Sequence, residues 1–215
     1  MLSARDANRR YFRDAYRTGE HGWAAREPSP YAVRLLRRAA SLSPGGRLLE
    51  VGCGEGRHCV AAARLGFQVV GADCEPLALR RARAVAGQAR AEGIAFLCAN
   101  VYDLPFEDET FDVVLDYGCL HHQRKADWPA YRAEVARALR PAGHYLVSVF
   151  TPRFRLFSGS RRRWHIAGGA YRRCFTEGDL RAFLGPGFEV VELAEERGEG
   201  RGFLHCLARR VRPSG

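Results

Sequence analysis

Apolar positions along this chain follow two rhythms, a helical spacing and short continuous runs, and the two take turns in a regular order. Helical spacing covers residues 3–16 and 30–41, with a polar stretch around Gly22-Trp23 and Pro28-Ser29-Pro30 between them. The run Leu48-Leu49-Glu50-Val51 predicts a buried strand, 57–66 a short helix, and 67–72 a second strand that stops at Asp73. Pro76 suits a first helical turn, and good helix formers continue from Leu77 to Ala91 until Gly93 ends them. Residues 94–98 and 111–115 read as strands, 127–140 as a helix ending before Pro141, and 144–150 as a strand. Strands alternating with helices at this spacing predict a parallel sheet with helices on both faces. The tail breaks the rhythm. Thr176-Glu177-Gly178-Asp179 resembles a capping box before a short helix, and 188–193 and 203–208 read as two strands joined by a short polar turn. Strands linked so closely must pair antiparallel, because a parallel crossover needs a dozen or more residues.

The strand at 48–51 runs into Gly52-Cys53-Gly54-Glu55-Gly56 and then into a helical pattern. A strand ending in glycines bares its backbone to a ligand, and the helix beyond aims its free N–H groups at the same place. A dinucleotide fingerprint requires a third glycine where this chain has Arg57, so a pyrophosphate site fits poorly. With Glu50 in front of it, the G-x-G-x-G run resembles motif I of the class I methyltransferases that use S-adenosylmethionine. Three further segments carry the same resemblance, which is strongest over 45–150. Asp73 closes the second strand 21 residues after Gly52, where the family places the acid that meets the cofactor's ribose; an N-cap for the next helix is the other reading. Ala99-Asn100-Val101-Tyr102-Asp103-Leu104-Pro105-Phe106 resembles the adenine loop, with Asn100 in place of the usual acid; Asp103 is the alternative acid. The segment 111–122 resembles the fourth strand and its exit loop.

The resemblance implies a Rossmann-like α/β fold: a seven-stranded sheet, mostly parallel, with a C-terminal antiparallel hairpin and helices on both faces. It implies a methyltransferase domain over 45–215 and a helical extension or lid over 1–44. It also implies S-adenosylmethionine as cofactor, held by Glu50, Gly52, Cys53, Gly54, Asp73, Cys74, Asn100, Val101 and Asp116. Tyr11 and Trp23 are expected to cover it from the extension, since aromatic faces attract a sulfonium, whereas Tyr16 is expected to pack as an ordinary helix residue. Tyr117, His121 and His122 are the candidate catalytic residues: a histidine exchanges protons near neutrality, although one of the pair can equally be a core residue. Leu139-Arg140-Pro141-Ala142-Gly143 resembles the family's turn before the fifth strand, with Ala142 in place of a glycine. Gly-Arg-His after motif I and Asp-x-Gly-x-x-His-His after the fourth strand resemble bacterial methyltransferases of the tellurite-resistance and thiol-methylating kind.

Composition narrows the rest. At 215 residues with 47% hydrophobic content, the chain suits one globular domain. It has no run of about eighteen apolar residues that could span a membrane, and Met1–Arg10 lacks the apolar stretch of a signal peptide, so a cytoplasmic location is expected. Seven cysteines without a C-x-x-C pair argue against a disulfide framework or a metal site. The net charge of +10 raises the question of nucleic acid, but Lys125 is the single lysine among 34 basic residues and the arginines are spread along the chain. The expected partner is therefore a small-molecule methyl acceptor, bound between the extension, the loop at 116–122 and the segment 151–175. A nucleic-acid methyltransferase, a cofactor-binding module without turnover and a nicotinamide-dependent oxidoreductase are the competing readings. Neither the acceptor nor an oligomeric state is written in these motifs.

Overall fold

The computed structural model describes residues 4–19, 21, 23, 27–196 and 202–212; of the extension expected over 1–44, residues 1–3, 20, 22 and 24–26 lie outside them. Two helices come first, α1 (Ala4–Thr18) and α2 (Pro30–Leu42). The alternating part follows as β1 (Arg47–Val51), α3 (Arg57–Arg64), β2 (Gln68–Asp73), α4 (Pro76–Gln88), β3 (Ile94–Cys98), β4 (Phe111–Tyr117), α5 (Trp128–Ala138) and β5 (Leu139–Phe150). A small hairpin, β6 (Trp164–Ala167) and β7 (Ala170–Arg173), then α6 (Glu177–Leu184), β8 (Phe188–Glu195) and β9 (Phe203–Arg210) complete the chain.

Seven strands form one sheet in the order β3-β2-β1-β4-β5-β9-β8. Strands β1 to β5 are mutually parallel, and β9 runs antiparallel to both β5 and β8. Neighbouring residues of β1 serve opposite faces. Leu48 packs with Leu35 and Leu36 of α2, Cys59 of α3, Leu115 and Leu207. Leu49 packs with Val114, Tyr145, Trp128 and Tyr131. Because both faces are covered, the strand is a continuous apolar run rather than an alternating one, and each fully buried leucine contributes roughly 2 kcal/mol. Chain order reverses between β1 and its two neighbours, β2 and β4. The crevice at the C-terminal ends of these strands is the topological switch point, where open α/β sheets bind ligands.

Local chemistry sets the element ends. The expected capping box is present: Thr176 Oγ1 accepts from the Asp179 amide at 3.1 Å, and Asp179 Oδ2 accepts from the Thr176 amide at 3.1 Å. The helix expected over 127–140 ends earlier, at Ala138. Leu139 turns extended (ψ 142°) and pairs with Phe111, and Arg140 precedes a proline, which disfavours helical backbone. Ala142 adopts a positive φ of 61°, filling with an L side chain the position where the family's turn has glycine. The hairpin β6–β7 was not among the expected elements. It turns at Gly168 and Gly169, with φ of 59° and 89°, the two left-handed positions that a tight two-residue hairpin requires.

Candidate functional site

The glycine loop leaves β1 at the switch point. Gly52 and Gly54 have φ of 65° and 55°, and a Cβ on them would lie 2.9 Å from Cys119 Cβ and 2.8 Å from Tyr16 Oη, so only glycine fits. Asp73, at the end of β2, ties itself to this loop: Oδ2 accepts from the Gly54 amide and Oδ1 from the Glu75 amide, both at 2.9 Å. Burial pushes its carboxyl up to about 6, against the pull of those two N–H groups. A carboxylate offers about four acceptor positions, so two remain open on Asp73. Glu50 works from behind the loop. It accepts from Cys59 Sγ at 2.9 Å and contacts His58 Nδ1 at 3.3 Å. The Ser29 amide donates to His58 Nε2 at 3.2 Å, so the ring's proton sits on Nδ1 and points at Glu50.

The extension lies over this loop. Trp23 Nε1 donates to Tyr16 Oη at 3.0 Å, and the Arg57 guanidinium donates to the Trp23 carbonyl. Arg81 bonds Glu55 at 2.9 Å and the Tyr16 carbonyl at 2.6 Å, joining α1, the loop and α4. Tyr16, expected to be an ordinary packing residue, is thus an α1 side chain that touches the glycine loop. Burial raises its phenol far above the usual range, so it stays protonated. Tyr11 reaches elsewhere, accepting from Arg172 Nη2 on β7 at 2.7 Å. Asn8 joins two segments: its Nδ2 donates to the His122 carbonyl at 2.7 Å, and its Oδ1 accepts from the Tyr171 amide at 2.7 Å.

Asp116 departs from the expected cofactor contact. It is fully buried and accepts from the amides of Cys119 (2.8 Å) and Leu120 (3.2 Å) and the hydroxyls of Tyr131 (2.6 Å) and Tyr145 (2.9 Å). Four donors fill its acceptor positions. Its carboxylate therefore shapes the exit loop, and Cys119 is the residue that loop presses onto Gly52. The two histidines separate. His122 Nδ1 donates to the Tyr171 carbonyl at 2.9 Å, and burial pushes its pKa down to about 4. His121 stacks on Phe150 with centroids 3.6 Å apart, is held neutral mainly by burial, and its Nδ1 has no partner among the described residues.

At the loop expected to meet adenine, Asn100 Oδ1 accepts from the Tyr102 amide at 3.1 Å, a local turn that occupies part of its capacity. Tyr102 Oη donates to Gln123 at 2.7 Å and so links this loop to the β4 exit. Cys74 is exposed just beyond Asp73. Tyr117 ends β4 with its ring 4.5 Å from His58 and 5.5 Å from Phe203. Sequence reasoning missed Ser148 and His205, opposite each other on β5 and β9 and joined at 2.8 Å through Ser148 Oγ and His205 Nδ1. The available signal was a single polar residue inside each of two apolar runs. Among the described residues, no cluster of three or more His, Cys, Asp or Glu could hold a metal ion, and no helix is long and apolar enough to cross a membrane.

Residues 48–143 match the family model described as a methyltransferase domain. The crystal structure of Burkholderia thailandensis 1,6-didemethyltoxoflavin-N1-methyltransferase, with bound 1,6-didemethyltoxoflavin and S-adenosylhomocysteine, aligns at a TM-score of 0.77 and 25% identity, covering 99% of this chain and 92% of that one. Over residues 48–143 the chain resembles the class I S-adenosylmethionine-dependent methyltransferases. Curated relatives include the 2-heptyl-1-hydroxyquinolin-4(1H)-one methyltransferase of Mycobacteroides abscessus, 26% identical over 60% of this chain and 55% of that protein. The fatty-acid O-methyltransferase of Mycolicibacterium smegmatis is 33% identical over 60% of this chain and 46% of that protein. The chain spans about half the length of the curated relatives it matches. The methyltransferase sheet, its closing antiparallel strands and the glycine loop at the switch point are as the sequence resemblance implies.

Proposed function

We propose that this methyltransferase domain transfers a methyl group from S-adenosylmethionine to a small-molecule acceptor. The observation that carries the reading is Asp73, bound to the glycine loop through the Gly54 amide and keeping two acceptor positions for a pair of ribose hydroxyls. The chain's residues fit the cofactor: Gly52 and Gly54 turn the loop at the switch point in left-handed conformations that residues with a side chain rarely adopt, with Cys119 and Tyr16 packed against them. Cys74, Asn100 and Val101 border the adenine end, and Glu50 supports the loop through His58 and Cys59. Tyr16 and Trp23 close the loop from above, with Tyr11 at the edge of the same lid, which is the role proposed for residues 1–44.

When bound, S-adenosylmethionine supplies an electrophilic methyl on a sulfonium. The protein's part is alignment and exclusion of water, which accounts for large effective molarities without dedicated acid–base groups. Asp116 acts by fixing the exit loop that presses on Gly52. Tyr117 forms one wall of the acceptor side. His121 is the candidate proton acceptor, at its partnerless Nδ1, whereas His122 uses its Nδ1 to hold Tyr171 and positions the hairpin. The low basicity of a buried imidazole suits an acceptor that gives up its proton readily.

The segment 151–175 favours a pocket wall over a phosphate track. Phe154 stacks on Phe150 with centroids 3.9 Å apart, Phe157 is buried beside them, and Arg153 and Arg173 are paired with Glu195 and Asp179. The seven free thiols support a reducing, cytoplasmic compartment. Calorimetry with S-adenosylhomocysteine tests the cofactor reading, and a single-stranded RNA titration tests the rival. A complex with a log–log salt slope near about −0.7 per phosphate that persists at physiological salt would overturn the small-molecule reading.

A further inference from the structure

Strand β6 is a free edge, paired with β7 alone through Trp164↔Arg173 and Ile166↔Tyr171. Residues opposite each other share one face of a hairpin, yet the two strands fare differently. Tyr171 and Arg173 of β7 are buried, whereas Trp164 and Ile166 are 46% and 59% exposed, more than any other large apolar side chain described. His165 between them points to the opposite face, where its ring lies 5.3 Å from that of Phe157. One side of β6 thus joins the aromatic cluster of Phe150 and Phe157, and the other presents an indole and an isoleucine two residues apart. The indole rests against Tyr171, with centroids 6.0 Å apart, and keeps the rest of its surface open. The hairpin is firmly seated: its turn at Gly168 packs on the Tyr11 ring, and Asn8 holds the Tyr171 amide at 2.7 Å.

The charge around this pair is one-sided. Between residues 151 and 176 the chain has seven arginines and no acid, a large share of its net charge of +10. Arg153 and Arg173 are paired with Glu195 and Asp179, and Arg172 donates to the Tyr11 hydroxyl. Arg155, Arg161, Arg162 and Arg163 are exposed and have no acidic partner among the described residues. Three of these four are consecutive and lead directly into Trp164. Single exposed apolar side chains are ordinary, and so are single unpaired arginines. An exposed tryptophan and isoleucine on one strand, continuous with a run of uncompensated guanidinium groups, make a surface that is both apolar and cationic.

We propose that β6 and the arginines at 161–163 form a docking surface for an anionic lipid bilayer. The guanidinium groups pair with headgroup phosphates, and their apolar stems lie along the boundary layer. Trp164 takes the interfacial position that amphipathic rings favour, and Ile166 enters the edge of the acyl region. This is contact with one leaflet and needs no spanning segment. Two other occupants fit the same surface less well. A nucleic-acid strand would use the arginines and could stack on Trp164, but it leaves Ile166 without a role. A second copy of this chain would match the apolar pair but bring the same uncancelled positive charge to the contact. The proposal goes beyond the methyl-transfer reading and does not depend on it.

The test sediments the full chain with vesicles of phosphatidylcholine alone and of phosphatidylcholine with phosphatidylglycerol, at low salt and at about 0.5 M salt. Binding is expected to the anionic vesicles only, and to weaken as salt rises. The triple variant Arg161→Ser, Arg162→Ser, Arg163→Ser is expected to bind about a hundredfold more weakly, and Ile166→Ser about tenfold more weakly. All four positions are exposed, and unchanged melting temperatures show that the variants fold. Tryptophan emission is expected to move to shorter wavelength on the anionic vesicles, and Trp164→Phe to lose that shift while still sedimenting with them. Failure to bind anionic vesicles at low salt overturns the proposal, as does equal binding to neutral ones or wild-type affinity in the triple variant. Single-stranded RNA that binds through these arginines while the vesicles do not assigns the surface to nucleic acid and overturns it. A dimer that Ile166→Ser dissociates, without vesicle binding, assigns the surface to a second copy and overturns it too. None of these measurements uses the cofactor, so their failure leaves the methyl-transfer reading standing, and loss of S-adenosylhomocysteine binding leaves the docking surface standing.

Discussion

Replacing Asp73 by asparagine separates the two tasks assigned to its carboxylate. The wild-type group accepts two backbone N–H bonds at 2.9 Å, and its other two acceptor positions are the ones proposed for ribose hydroxyls. Asparagine keeps one acceptor oxygen and turns a donor toward the other partner, so a ribose hydroxyl loses its charge-assisted bond. Hydrogen bonds to charged groups are worth about 1.5–3 kcal/mol, so S-adenosylhomocysteine should bind roughly tenfold to a hundredfold more weakly in calorimetry. The pH dependence supplies an independent check. The folded-state pKa is raised from 3.8 to about 6, so between those values the native protein holds a proton that the unfolded chain has released, and the group's contribution to stability falls as pH rises through that window. The Asp73→Asn variant lacks this loss, so its melting temperature relative to wild type should climb between pH about 4 and about 6 and then level off. Ligand affinity in the wild type should fall below pH about 6, as protonation removes an acceptor, and should be flat in the variant. Equal affinities for wild type and variant across that range would refute the ribose assignment.

Three further outcomes are expected. Ala142→Gly should raise stability by about 0.5–1 kcal/mol in urea unfolding, because relief of the left-handed strain at φ 61° exceeds glycine's entropy penalty; a lower midpoint would show that the turn carries no strain. Asp116→Asn should lower stability by about 3 kcal/mol, since one side chain satisfies four buried donors, while leaving cofactor affinity nearly unchanged in the protein that folds. The reverse result, full stability with lost affinity, would return Asp116 to the cofactor. His122 and His205 both have folded pKa values pushed down from 6.5 to about 4, so the native state binds fewer protons than the unfolded chain, and their contribution to stability is lost as pH falls from about 6.5 toward about 4. Unfolding curves of His205→Phe should show a shallower acid decline than wild type, and an identical slope would mean that the ring is solvated.

The legible parts of the chain were those that local chemistry decides. Alternating runs gave the sheet, the glycines gave the switch-point loop, and Thr176 with Asp179 gave a helix start. The illegible parts depend on partners far away in sequence. Asp116 shows an acid at the expected strand end, but its saturation requires Tyr131 and Tyr145, on a helix and a strand that no local window contains. Tyr16 shows the same thing from the other side, since its spacing marks only a buried helix face and its contact with Gly54 arises from the way α1 crosses the sheet end. The β6–β7 hairpin is a different case, for Gly168-Gly169 between Trp164–Ala167 and Ala170–Arg173 is a readable turn signal.

Asn8 has a consequence for how the molecule breathes. One side-chain amide, through two bonds of 2.7 Å, holds the turn carrying His122 and the hairpin strand carrying Tyr171, while about two turns of helix further on Tyr16 sits against the glycine loop. Thermal fraying of α1 therefore cannot remain a private event of the N-terminal segment. It releases the Tyr171 amide and the His122 carbonyl in the same motion, so the proposed cover and the proposed acceptor wall are expected to open as one cooperative unit, with a shared rate of amide exchange.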